Sequence, residues 1–108
     1  MIAGRRWTVH DRDGREIYLT HERWQHIIDP HNHPEMAAYE IQLEETIRGG
    51  ARQQDPLNPL KYRYVKAFND LAEANTHIVT IVLFRFSAEA GTLRPNNYIV
   101  TAYEKTIR

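Results

Sequence analysis

The sequence predicts a single α+β domain, with an N-terminal β-hairpin, two helices and then three to four antiparallel strands. Three observations carry this prediction. Apolar and polar residues alternate on both sides of "DRDG" near the start. The spacing turns helical between positions 20 and 49. Three runs rich in β-branched and aromatic residues fill the second half. A length of 108 residues fits one domain over 1–108, and 42% apolar residues suffice for a modest core.

The elements follow in order. "RRWTVHD" and "REIYLT" read as strands near 5–10 and 15–19, joined at Asp13-Gly14, a strong hairpin signal. Thr20 is placed to cap a helix, with Glu22 in its first turn. In that helix Trp24, Ile27 and Ile28 recur at i, i+3 and i+4 and face the core, and Pro30 stops it. "DPHNHP" is a loop. Pro34 opens a second helix, "EMAAYEIQLEETIR", whose buried stripe is Met36, Tyr39 or Glu40, Leu43 and Ile47, and Gly49-Gly50 closes it. "ARQQDPLNP" reads as a loop. "LKYRYVKAF", "HIVTIVLFRF" and "NYIVTAYEKTI" are the later strands, the second apolar enough to be central. "NDLAEANT" and "SAEAGTLRPN" connect them.

Composition narrows the chemistry. The chain has no cysteine, which removes disulfides, thiolate catalysis and cysteine-type zinc sites. No run of 18 apolar residues is present to span a membrane, and the opening "MIAGRRW" lacks the apolar stretch of a secretory signal. A cytoplasmic location is the expectation. Net charge is zero. Residues 1–50 hold six Lys/Arg against nine Asp/Glu, a balance of −3, and residues 51–108 hold eight against five, +3. Neutrality argues against indiscriminate coating of nucleic acid, while leaving room for a local basic face in the second half.

Four of the six histidines fall in "LTHERWQHIIDPHNHPEM": His21, His26, His31 and His33. A metal centre on His26, His31 and His33, with Glu35 as an oxygen ligand, is one reading. It lacks an HExxH spacing, and His21 and His26 point from different helix faces, so no metal is expected. The "HNH" tripeptide does not signify the nuclease of that name. His26 borders the buried stripe, where a ring with a tunable pKa can act as a base near neutral pH; the alternative is a half-buried ring bonded to a carbonyl. His31 is positioned to meet the helix dipole, and His33 to fix the loop before Pro34.

In "KYRYVK", strand alternation places Lys61, Arg63 and Val65 on one face and Tyr62, Tyr64 and Lys66 on the other. Arg85 interrupts an apolar strand and needs a partner or a ligand there. Thr101 and Tyr103 share a side. If Arg63, Arg85, Thr101 and Tyr103 share one face, two guanidinium groups and two hydroxyls suit a phosphate gaining charge. The alternative is a face closed by its own ion pairs, Arg63 or Arg85 with Glu104 or Glu35.

"IYLTHERWQHI…HPE", the amphipathic helix, "YRYVKAF", the apolar strand and "YIVTAY" together resemble the BECR superfamily, named for barnase, EndoU, the colicin tRNA-cleaving toxins and RelE, over roughly residues 6–104. The likeness is to its small phage and prokaryotic nucleases. The resemblance implies a curved antiparallel sheet after two helices. It also implies a metal-independent ribonuclease, needing no cofactor, that cuts RNA through 2′-hydroxyl attack to a 2′,3′-cyclic phosphate. By position, His26 matches the helical base, Arg63, Lys66 or Arg85 the strand cations, and Thr101 and Tyr103 the hydroxyls of the last strand. Lys61, Tyr62, Tyr64 and Lys66 are the expected RNA contacts. Family habit implies a toxin with an antitoxin partner. The neutral charge favours a compact substrate such as tRNA. A non-catalytic RNA- or protein-binding module of the same fold is the alternative.

Overall fold

The computed structural model describes residues 4–107. Residues 1–3 and 108 lie outside these, and with them the start of "MIAGRRW". The order is β1 (Arg5–His10), β2 (Glu16–Thr20), α1 (His21–Ile27), a 3-10 helix (Pro34–Ala38), α2 (Glu40–Gly49), β3 (Ala51–Gln54), β4 (Lys61–Ala67), β5 (His77–Glu89) and β6 (Thr92–Lys105). All strands join one six-stranded sheet in the order β1-β2-β6-β5-β4-β3.

The α+β class, the N-terminal hairpin and the two helices are as the sequence predicts. The sheet is larger than the three or four strands expected, and it is mixed. β2 pairs in parallel with β6 through Ile17–Asn97 and Tyr18–Tyr98, which fuses the hairpin to the later strands. The Asn97 side-chain amide donates to the Glu16 carbonyl across this seam (3.1 Å). "ARQQ", read as loop, is the edge strand β3. Its side chains are all exposed, so it has no burial pattern; only its backbone makes it a strand.

Thr20 caps α1 as expected, its hydroxyl accepting from the Arg23 N–H (3.0 Å). The second helix is split. Its first turn is the 3-10 helix after Pro34, and α2 starts at Glu40. Tyr39 sits at the break, and its hydroxyl accepts from the Ala72 N–H (3.0 Å). "SAEAGTLRPN" is mostly strand. Only Ala90 and Gly91 form the turn, both at positive φ (51° and 80°), the geometry that matches the twist of a two-residue hairpin.

Helices α1 and α2 cover one face. Trp24, Ile27, Met36, Leu43 and Ile47 pack against Val9, Ile17, Leu19, Tyr64, Ile78, Val82, Ile99 and Ala102. Beneath this core the Tyr64 hydroxyl donates to buried Asp11 (2.7 Å), tying β4 to the first hairpin turn. Glu40, at the start of α2, takes hydrogen bonds from Arg6 and from the Trp7 indole and clamps α2 to β1.

Candidate functional site

The register decides what the other face carries, because directly paired residues share a side. Arg63 pairs with Ile81, and Ile81 with Thr101. Val65 pairs with Val79, and Val79 with Tyr103. Lys61 pairs with Leu83, and Leu83 with Tyr98. Arg85 pairs with Asn96. Arg63, Arg85, Thr101 and Tyr103 therefore all project from the face opposite the main helical core. β6 carries an extra residue, Val100, opposite the Ile81/Val82 step. This bulge lets Tyr98 and Thr101 share that face despite their odd separation.

Arg63 and Thr101 flank Ile81 in one row, and Tyr103 stands in the next. Val79, between Val65 and Tyr103, is fully buried although outside the main core, so this part of the face is closely packed. The Arg63 Nε is buried without a hydrogen-bond partner. Among the described residues, Arg63 and Arg85 form no ion pair, so the closed-face alternative with Glu35 or Glu104 is not what the structure contains. Arg85 is exposed and stands four residues from Ile81, about 13 Å along the strand at ~3.3 Å per residue. The two guanidinium groups are thus spread along the face rather than paired over one point.

His26 is exposed on α1, and among the described residues no ion pair or ring contact joins it to Arg63, Arg85, Thr101 or Tyr103. Its backbone carbonyl accepts from the Asn32 side chain (2.8 Å), which shapes the loop after the helix. That loop brings a different histidine to the sheet. The His33 ring lies against the Tyr103 ring, with centroids 5.5 Å apart and planes tilted by 32°. Its Nδ1 is 3.5 Å from a Glu35 carboxylate oxygen. The His33 N–H donates to the Ile27 carbonyl (2.9 Å), which anchors the backbone that presents the ring. The sequence held a cue to this site, since Pro34 and Glu35 fix His33 at the mouth of a helix. It favoured His26, which borders the buried stripe of α1, and gave His33 only the role of fixing the loop before Pro34.

Among the expected RNA contacts, only Lys61 projects from this face, and it is engaged by Asp55 (3.8 Å). Tyr62, Tyr64 and Lys66 point to the other side. Tyr64 is only 1% exposed and committed to Asp11, so no base can stack on it. Tyr62 packs against Phe84 (4.6 Å between centroids) under the Arg52 guanidinium. Lys66 lies over the Phe68 ring. The aromatic rings on the Arg63 face are instead Tyr103, Tyr98 and Tyr18.

No three His, Asp or Glu side chains among the described residues are gathered in a way that could hold a metal ion; His31 is paired with Asp29 and His33 with Glu35. Among the described residues, no helix is long and apolar enough to cross a membrane. No family model, curated protein or solved structure matches the chain.

Proposed function

We propose that the chain is an endoribonuclease that cuts RNA by attack of a ribose 2′-hydroxyl on the adjacent phosphate. The observation that carries this reading is the juxtaposition of the His33 ring and Tyr103 on the sheet face that presents Arg63 and Thr101. Such a face offers a base, a cation without a carboxylate partner and two hydroxyls, the set needed for an internal displacement at phosphorus.

In this reading His33 takes the 2′-hydroxyl proton, and Glu35 at its Nδ1 orients the ring so that Nε2 does the work. The 2′-oxygen bonds to phosphorus as the P–O5′ bond breaks. Arg63 stabilises the charge that builds on the non-bridging oxygens, and the Thr101 hydroxyl donates to one of them. The Tyr103 hydroxyl protonates the leaving 5′-oxygen. The products are a 2′,3′-cyclic phosphate and a 5′-hydroxyl. The nucleophile is already tethered beside the phosphorus, so no metal is needed to generate it. Arg85, farther along the strand, holds a flanking phosphate. The neutral net charge supports a folded, selective substrate such as tRNA, and a protein antitoxin is the partner that such an enzyme would call for in its own cell.

The experiment is incubation of purified protein with total tRNA in EDTA, followed by analysis of the product ends. Cleavage leaving cyclic phosphates is expected. His33→Ala should reduce the rate by at least ~100-fold, and Arg63→Ala by a similar factor, while His26→Ala stays near wild type. Loss of activity on chelation overturns the metal-independent scheme. Loss with His26→Ala but not His33→Ala moves the base to α1.

The spread of Arg63 and Arg85 favours one second reading, a face that binds RNA or a protein partner without cutting. Tight RNA binding with no cyclic-phosphate product under any condition would establish it.

A further inference from the structure

Beside Thr101 on the same face lies an aromatic group that the cleavage scheme does not use. Tyr98 occupies the row next to the Arg63–Ile81–Thr101 row, two β5 positions away, or about 7 Å along the strand. Its ring meets the Tyr18 ring at 6.1 Å and 42° across the parallel β2–β6 seam. The Arg5 guanidinium covers Tyr18, 3.8 Å from the ring centre, and is itself held by Glu16 (2.9 Å). The Tyr18 hydroxyl donates to the Asn96 side-chain oxygen (2.8 Å). This bond fixes Tyr18 and occupies the Asn96 oxygen, leaving the two N–H groups of its partly buried amide as the donors that side chain has to offer.

The arrangement is built rather than incidental. Tyr18 is pinned by a guanidinium at its face and an amide at its hydroxyl, and it supports Tyr98 from the side. Tyr98 is only half-buried. The Val100 bulge is what puts Tyr98 on the same side of the sheet as Thr101 and Arg63. A half-exposed aromatic ring on rigid backing, one side-chain row from a cation and a hydroxyl, has the form of a stacking platform for an unpaired base.

We propose that Tyr98, supported by Tyr18 and Arg5, stacks the nucleobase next to the cleaved phosphate, with Asn96 donating to a carbonyl or ring-nitrogen acceptor on that base. The ligand class is single-stranded RNA, or a loop whose bases are unstacked, because a duplex buries the faces that a platform needs. This inference rests on the ribonuclease reading of the same face, and it adds where the strand lies and what part of it is recognised.

The test uses a short fluorescent single-stranded oligonucleotide with 2′-deoxyribose, which cannot undergo 2′-hydroxyl attack, and fluorescence anisotropy to measure binding. Tyr98→Ala should weaken binding roughly tenfold, in the range of one base–aromatic stack, and Tyr98→Phe, which keeps the ring, should restore it. A strand carrying abasic sites should bind more weakly to wild type and be indifferent to Tyr98→Ala. If Arg63→Ala weakens binding and Tyr98→Ala does not, the platform is wrong and the reading of the face survives. If wild type binds neither this strand nor an all-RNA one, the reading of the face fails and the platform falls with it. Thermal unfolding of each variant separates loss of the ring from loss of the fold.

Discussion

Two carboxyl groups show how single residues set the pH response. Burial opposes ionisation of Asp11, but hydrogen bonds from Tyr64 and from the Arg15 and Asp13 backbone, with the Arg15 charge, hold its carboxyl below the usual range. The same contact, with burial acting first, pushes the Tyr64 hydroxyl up. The Asp11 carboxylate therefore stabilises the fold fully above the unfolded carboxyl range near pH 4, and that contribution is lost as pH falls through the lower folded value. Asp11→Asn should destabilise the protein by about 1–3 kcal/mol at pH 7. It should also flatten, without abolishing, the acid limb of stability, since Glu40 behaves alike through Arg6. Denaturant unfolding across pH checks both. Glu104 has the opposite sign. Burial first, then the Glu35 and Glu73 charges, raise its pKa, and its Oε1 has no partner. Its charge costs stability above the folded value, and the cost vanishes below the unfolded one. Glu104→Gln should raise the melting midpoint at pH 7 by about 4 °C, the shift of ~1 kcal/mol in a domain of this size, with the gap to wild type closing in acid. Neither group could be picked out from the sequence. Asp11 and Tyr64 are 53 positions apart, and local spacing says nothing of their meeting. That Thr101 and Tyr103 share a side was legible, because side chains alternate wherever a strand is regular, but that Arg63 and Arg85 join them depends on cross-strand register, which the sequence left as a condition.

At the scale of elements, legibility follows burial. β5 and both helices announce themselves through apolar spacing. β3 does not, because "ARQQ" pairs only through its backbone. The β2–β6 seam is equally silent: two residue pairs fix it, and nothing local distinguishes a parallel neighbour from an antiparallel one. The α2–β3 junction is an exception in which one residue type carries the information. Gly50 has an ordinary φ of −73°, so conformational freedom is not its reason. A Cβ there would collide with the Thr46 carbonyl oxygen and come within 3.0 Å of that of Val65. Both obstacles are backbone, which cannot swing aside. Gly50→Ala should cost about 2 kcal/mol or more, in the range of overpacking, whereas Gly49→Ala, whose nearest neighbour is the flexible end of Lys66 at 3.5 Å, should be nearly silent. The outer β5–β6 ribbon supports a further expectation. Past Phe84 the two strands pair only with each other, and Phe86 and Leu93 are 67% and 70% exposed. Amide hydrogens at 86–94 should exchange well before those at 78–82, where β5 is flanked on both sides. Equal protection along β5 would mean that something covers the ribbon in solution.

For the whole molecule, the question is how a chain of zero net charge can hold a polyanion. Residues 1–50 carry an acidic excess and residues 51–108 a basic one. Many of the acidic groups are engaged, Glu40 with Arg6, Asp11 and Asp13 with Arg15, Glu44 and Glu45 with Arg48, and Glu16 with Arg5. On the Arg63 face, Arg63 and Arg85 have no ion pair among the described residues, and Lys61 has a loose one. Three cations in a line can neutralise about three phosphates, and each phosphate bound on a single strand contributes about −0.7 to the slope of log K against log salt. The slope for single-stranded RNA should therefore be near −2, shallow beside that of a basic nuclease. Arg85→Ala should reduce it by about one phosphate's share while leaving the stacking part of the affinity intact. Anisotropy titrations at several salt concentrations measure this directly. A slope near zero would mean that the strand does not lie along these cations. A slope several times steeper would place it across other basic groups of the second half, such as Arg52 and Arg94, and the path from Tyr103 past Tyr98 would have to be redrawn.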